Sequence, residues 1–281
     1  MTSPSDIGEP TLQTRVESWE CGFNGHWNAR FDGRGFQHAA EVIACRAGGS
    51  NPGGLAVKAG NIRFHSAAVS GDPVQVRTAA ISSGTYRGAV MHLLFCSGRL
   101  ASTVLDLLGL GAAKLPKTNP DYVSMAPTRI LSRDTQIRPW SRDAVAATLV
   151  ETGPVRPLHL RHAGHPLFEE IIGRSATAVH DLMDRPGFTL DFMKRENITR
   201  MAVETRVCDI GAWTIGTTLR VRSQLTAISA KTYRTAHDIV TPEDELVDRV
   251  EYNFLGVDTK ARRATAVPKF LMALSDEIRA K

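Results

Sequence analysis

The sequence predicts an α+β protein in which one long helix followed by an antiparallel sheet occurs twice. Three observations predict it. Laying Val16 over Val155, an offset of 139 residues, also brings Gly25 onto Gly164, His26 onto His165 and Ala39 onto Ala178. Each Gly-His pair opens a stretch of helical periodicity. Both stretches then give way to period-two alternation, VQVRTAAIS at 74–82 and LRVRSQLTAIS at 219–229, as half-buried strands require.

In the first copy Trp27, Phe31, Phe36, Ala39, Ala40 and Ile43 recur at mostly helical steps. In the second, Leu167, Phe168, Ile171, Ile172, Ala178, Val179, Leu182 and Met183 make one broad apolar face, and Pro166 suits a first helical turn. Gly71 and Gly216 precede the strands at an offset of 145, and Thr85-Tyr86-Arg87 matches Thr232-Tyr233-Arg234 at 147. Loop insertions produce such a drift. The two Thr-Tyr-Arg triplets are expected to mark strand starts, and GRLASTVLDLL pairs with ELVDRVEYNFL as a later strand.

Between the copies, Pro116, Pro120, Pro127 and Pro139 oppose continuous helix or central strand. The expected division is a flexible N-terminus at 1–14, a first unit at 15–111, a Pro-rich connector at 112–150 and a second unit at 151–281. A short helix around Asp143–Leu149 is expected in the connector.

With 281 residues, 42% hydrophobic and 22% charged, the composition is that of a packed globular chain and excludes a disordered one. The net charge of +5 favours an anionic partner such as a phosphorylated small molecule. Lys and Arg are scattered, so no nucleic-acid partner is expected. Cys21, Cys45, Cys96 and Cys208 stand apart, without metal-ligand spacing, and read as thiols of a reducing compartment. No metal or cofactor is expected. No stretch approaches the roughly 18 apolar residues of a membrane span, so no membrane association and a cytoplasmic location are expected.

The chemistry gathers in ECGFNGHWNARF, residues 20–31. Gly25 permits a tight turn, His26 titrates near neutral pH, and Asn24 and Asn28 supply amides where a helix begins. A helix N-terminus offers unpaired N–H groups and a favourable dipole to developing negative charge. The amides around Gly25–Trp27 are expected to point at such a charge. The same residues also serve as local turn and cap formers, which leaves a purely structural role open.

This stretch resembles the opening of hotdog acyl-thioesterases of the 4-hydroxybenzoyl-CoA type, V…DxDxxGH-x-N…Y, through Val16, Glu20, Gly22, Gly25-His26, Asn28 and Phe31. Asn24-x-His26 is also similar to the Asn-x-His pair of plant acyl-ACP thioesterases, and DTKARRATAVP at 258–268 to the last strand of such enzymes. With the duplication, the resemblance implies a double hotdog, two long helices each wrapped by an antiparallel sheet. It implies an acyl-CoA or acyl-carrier thioester as substrate and, as is usual for hotdog proteins, assembly into a homo-oligomer.

The second acid of DxD corresponds here to Gly22, and in the second copy to Arg161. His26 is then the first candidate for general base, with Asn24 and Gly25 beside it. Glu20 and Glu169 are candidate carboxylates, followed by Glu170 and Asp209. Trp27, Asn28, Phe31, Arg161 and His165 are candidate substrate contacts, His162 a further phosphate-binding candidate, and Arg262 and Arg263 are placed to meet CoA phosphates. Thioester hydrolysis is the leading expectation. A hotdog hydratase, dehydratase or lyase, and a non-catalytic acyl-ligand binder, remain compatible with loss of the family carboxylate.

Overall fold

A computed structural model describes residues 7–46, 60–106, 117–118, 125, 128–131, 138–161, 164–208 and 211–280. The chain divides into two compact units, Met1–Arg129 with Arg161–Glu170, and Ile130–Leu160 with Ile171–Lys281.

In the first unit β1 (Glu9–Arg15) leads to α1 (Ala29–Arg46), followed by β2 (Gly60–Phe64), β3 (Pro73–Ile81), β4 (Val90–Cys96) and β5 (Arg99–Asp106). These strands pair antiparallel in the order β1-β3-β4-β5-β2. The short β6 (Lys117–Thr118) adds to β3 in parallel. α1 buries Phe31, Phe36, Ala39, Ile43 and Ala44. Gly35 lets the helix approach closely: a Cβ there would stand 3.4 Å from Leu94 and 3.7 Å from Leu12.

In the second unit β7 (Thr148–Pro154) leads to α2 (Phe168–Asp184), whose first three residues are counted with the first unit. Then follow α3 (Leu190–Glu196), β8 (Ile198–Cys208), β9 (Thr218–Ile228), β10 (Thr232–Val240), β11 (Leu246–Asp258), β12 (Arg263–Ala264), α4 (Lys269–Met272) and α5 (Ser275–Ala280). The antiparallel order is β8-β11-β10-β9-β7, and β12 adds to β11. Ile171, Ile172, Leu182 and Met183 of α2 are fully buried. Each such side chain contributes about 1.5–3 kcal/mol of transfer free energy.

The duplication is visible bond by bond. Val16 exchanges backbone bonds with Gly71 and Asp72, and Val155 does so with Gly216 and Thr217. The amide of Gly22 reaches the carbonyl of His26 at 2.8 Å, as that of Arg161 reaches His165 at 2.9 Å. At the later offset, Thr78 Oγ1 meets His92 Nδ1 at 2.8 Å and Ser223 Oγ meets His237 Nδ1 at 2.7 Å.

Four expectations need correction. Residues 9–14, placed in a flexible terminus, form most of β1, because Thr11 Oγ1 bonds Thr78 Oγ1 and Val76 carbonyl and the strand covers β3. The helix expected around Asp143–Leu149 is absent: residues 141–147 turn, and Thr148 starts β7. Thr85-Tyr86-Arg87 lies in the turn before β4, whereas Thr232-Tyr233-Arg234 does open β10. Pro166 precedes α2 by two residues rather than sitting in its first turn. About half of the expected connector lies outside the described residues, as do His162 and Asp209. No helix among the described residues is long and apolar enough to cross a membrane.

Candidate functional site

Residues 20–28 of the first unit fold into a miniature hairpin. Asn28 amide bonds Glu20 carbonyl at 2.9 Å, Cys21 bridges Trp27, and Gly22 amide bonds His26 carbonyl. The tip closes through the Gly25 amide on Gly22 carbonyl at 2.9 Å. Gly25 takes φ +74° there, a conformation that a Cβ would strain. Asn24 Oδ1 accepts from His26 amide at 3.2 Å, an Asx turn that fixes the approach of the His26 backbone. The hairpin docks on residues 68–69, with Trp27 amide on Ala68 carbonyl and His26 bridging Val69.

The amides of Gly25, His26 and Trp27 are therefore all bonded within the fold. They do not await an oxyanion, contrary to expectation, because the hairpin needs them. The donor left at the helix start is two residues beyond Trp27, at Ala29. Asn28 caps α1 through its Oδ1, which accepts from Arg30 amide at 3.0 Å, and its carbonyl accepts from Phe31. The first-turn amide of Ala29 has no such partner among the described residues.

The start of α2 is different. Gln37 Oε1 accepts from the Phe168 amide at 2.8 Å. Glu170 pairs with Arg30 at 2.9 Å and Glu169 with Arg34 at 2.5 Å. One face of α1, built by Arg30, Arg34 and Gln37 at helical spacing, thus fills the second helix start.

Glu20 is a structural hub. Its side chain is buried and accepts from Trp27 Nε1 at 2.9 Å, Arg34 Nη1 at 3.0 Å and the Glu17 amide at 3.2 Å. Glu20 and Glu169, both candidate general bases by sequence, are thus each held by Arg34. Phe31 is buried with the guanidinium groups of Arg30 and Arg34 over its ring at 5.2 and 4.5 Å. Arg161 and His165 are half-buried in the second Gly-His turn. Burial lowers the pKa of Arg161, and the charge of Glu41 partly opposes this. Arg262 and Arg263 are exposed, Arg263 in β12.

Sequence reasoning missed one carboxylate. Asp32, in the first turn of α1, is buried and accepts from Ser102 Oγ of β5 at 2.5 Å. Burial raises its pKa to about 7, and the Ser102 bond opposes the rise. Burial raises the nearby Cys96 thiol to about 12, with the charges of Asp32 and Asp72 adding to the shift. A signal did exist. At the 139-residue offset Asp32 falls on Ile171, a fully buried position, so an acid occupies a core column of the repeat. Among the described residues no cluster of three His, Cys, Asp or Glu could hold a metal.

A model of the Thioesterase-like superfamily matches residues 155–274. Among solved structures, a Lactobacillus plantarum protein assigned as an oleoyl thioesterase superposes with TM-score 0.60 at 13% identity, covering 90% of this chain and 98% of its own. An acyl-ACP thioesterase from Bacteroides thetaiotaomicron gives 0.58 at 13% identity over 90% and 100%. The 12:0-ACP thioesterase of Umbellularia californica gives 0.56 at 14% over 89% and 94%. No curated protein matches by sequence. The chain is thus similar to the Thioesterase-like superfamily over residues 155–274, and it shares an α+β fold with acyl-ACP thioesterases.

Proposed function

We propose that the chain is a double-hotdog thioester hydrolase acting on an acyl-CoA or acyl-carrier thioester, with one working site at the start of α1. The observation that carries this reading is the asymmetry between the repeats. The first keeps an Ala29 amide with no partner among the described residues and a titratable Asp32 in the first turn, whereas the second has Ile171 in that column and its helix start filled by Gln37. The superfamily match and the acyl-ACP thioesterase structures support the same reaction class.

In this reading the thioester oxygen lies at the positive end of α1, where the Ala29 amide and the helix dipole stabilise the oxyanion. Asp32 supplies the general base that the Gly22 position lacks. A carboxyl titrating near 7 is half ionised at neutral pH and takes a proton from water more readily than an ordinary aspartate. Asn24 and Gly25 set the turn that presents His26, which donates a proton to the departing thiolate. Trp27, Asn28 and Phe31 border the acyl thioester, and Arg161 and His165 offer polar contacts to the carrier arm. Glu20 and Glu169 hold Arg34 rather than react.

The test is thiol release from a panel of acyl-CoA and acyl-ACP substrates by wild type, Asp32→Asn, His26→Ala and Asn24→Ala. Wild-type release with loss in the Asp32 and His26 variants is expected. Undiminished turnover in both removes this site from the reaction. Interconversion of enoyl- and 3-hydroxyacyl-CoA without thiol release assigns a hydratase instead.

A further inference from the structure

The second unit carries a polar layer on the sheet face turned away from α2. Tyr252 Oη meets Ser175 Oγ at 2.7 Å and Ile172 carbonyl at 3.2 Å, so Tyr252 faces the helix. Strand alternation turns its neighbours Glu251 and Asn253 to the opposite face. Tyr233 stacks on Phe254 with centroids 5.2 Å apart, which turns Arg234 to that opposite face as well.

One row of this layer runs Glu204 (β8), Asn253 (β11), Arg234 (β10) and Ala227 (β9). Both flanks of the row are bulged. Glu204 and Ala202 oppose Asn253 and Phe254, leaving Val203 extra on β8. Ala227 and Leu225 oppose Arg234 and Thr235, leaving Thr226 extra on β9. Bulges re-aim side chains and gather at sites, and here two converge on one row.

The polar groups between them are incompletely satisfied. Asn253 is 1% exposed, and neither Nδ2 nor Oδ1 has a hydrogen-bond partner. The buried Thr226 Oγ1 is likewise without one. Arg234 is half-buried and makes no hydrogen bond among the described residues, while its charge acts on Glu251. A buried carboxamide with both ends unmet costs several kcal/mol unless something occupies it.

The other charges facing the row are committed. Glu204 Oε2 accepts from the amides of Ile130 and Leu131, each at 2.9 Å. Asp238 and Arg249 form a bidentate pair at 2.5 and 2.9 Å. Glu251 stands between Arg206 and Arg234, and burial raises its pKa against their opposing charges. What remains is one guanidinium, one amide donor, one amide acceptor and one hydroxyl in adjacent positions.

We propose that this row is a binding site for a hydrogen-phosphate group, either free phosphate or a phosphate monoester, independent of the α1 site. Two phosphate oxygens accept from Arg234 and from Asn253 Nδ2, the P–OH donates to Asn253 Oδ1, and Thr226 closes the shell. A fully deprotonated or purely cationic ligand leaves one end of the carboxamide unmet.

The experiment is titration of the full chain with inorganic phosphate and with methyl phosphate, read by calorimetry and thermal melting against chloride at matched ionic strength. Saturable wild-type binding that raises Tm, weakened at least about tenfold in Arg234→Met by loss of a charged hydrogen bond, is the expected result. Methyl phosphate binding as well as or better than phosphate assigns a monoester, and the reverse order assigns free phosphate. Absence of saturable wild-type binding of both ligands overturns the proposal. Equal binding by Arg234→Met and wild type overturns it too. Unaltered thiol release in Arg234→Met separates this site from the thioesterase reading.

Discussion

Ser102 Oγ on β5 donates to Asp32 Oδ1 in α1 at 2.5 Å, inside the first unit. The pair joins a hydroxyl to a carboxyl whose desolvation outweighs that bond, leaving it titrating at about 7. Activity in this protein should therefore rise with pH along a limb near 7. Replacing Asp32 by Asn should abolish that limb and lower kcat by about 10²–10⁴-fold. A pH–rate profile of both proteins checks it.

The same carboxyl has a stability signature of opposite direction. Its folded pKa lies above the unfolded value of 3.8, so the folded state holds the extra proton. Stability should fall as pH rises from about 4 to about 7 and level off beyond. Asp32→Asn should be the more stable protein at pH 8, by an amount on the order of a few kcal/mol. Urea melts across that range decide the matter, and a variant weakened at pH 8 contradicts it.

His237 works in the other sense. Burial lowers its pKa from 6.5 to about 3 while Ser223 and Thr235 bond its two ring nitrogens. The unfolded chain binds this proton first, so its contribution is complete above 6.5 and is lost as pH falls towards 3. His237→Gln should flatten acid unfolding in that window, measured by tryptophan fluorescence.

Arg34 joins Glu20, Glu169 and the Phe31 ring. Arg34→Ala leaves the buried Glu20 short of a donor and should cost about 1–3 kcal/mol. Lys at this position should recover only part of that, because one ammonium cannot serve both carboxylates with the geometry of a guanidinium. Thermal melts of the three proteins, with Trp27 fluorescence reporting the hairpin, rank them.

A Cβ at Gly60 would stand 2.7 Å from the Phe168 ring. Gly60→Ala should destabilise by about 1–3 kcal/mol through overpacking. Adding Phe168→Leu should return part of the loss, and a double-mutant cycle measures the coupling. Additive losses contradict the contact.

Periodicity alone determined the repeated helix-then-strands order, since a helix and a strand must each place apolar residues at their own spacing to bury one face. The 139-residue offset places β1 on β7 and the start of α1 on that of α2, as the structure has them. Gly25 and Gly164 were legible for a related reason: only a residue without a Cβ takes φ +74° and +75° at low cost. The second strand of the connector, β7, was hidden because its β9 partner lies far along the chain.

The site divides along the same line. His26, Asn24 and Asn28 could be found from local order, but whether an amide is spent or spare depends on partners such as Ala68, far along the chain from Trp27. Whether a carboxylate can react depends on its neighbours in space. Glu20 and Glu169 are captured by Arg34, while Asp32, written between Phe31 and Gly33, acquires its chemistry from β5. Sequence fixes which side chains a segment owns, and packing alone decides their solvation and company, which set charge and reactivity.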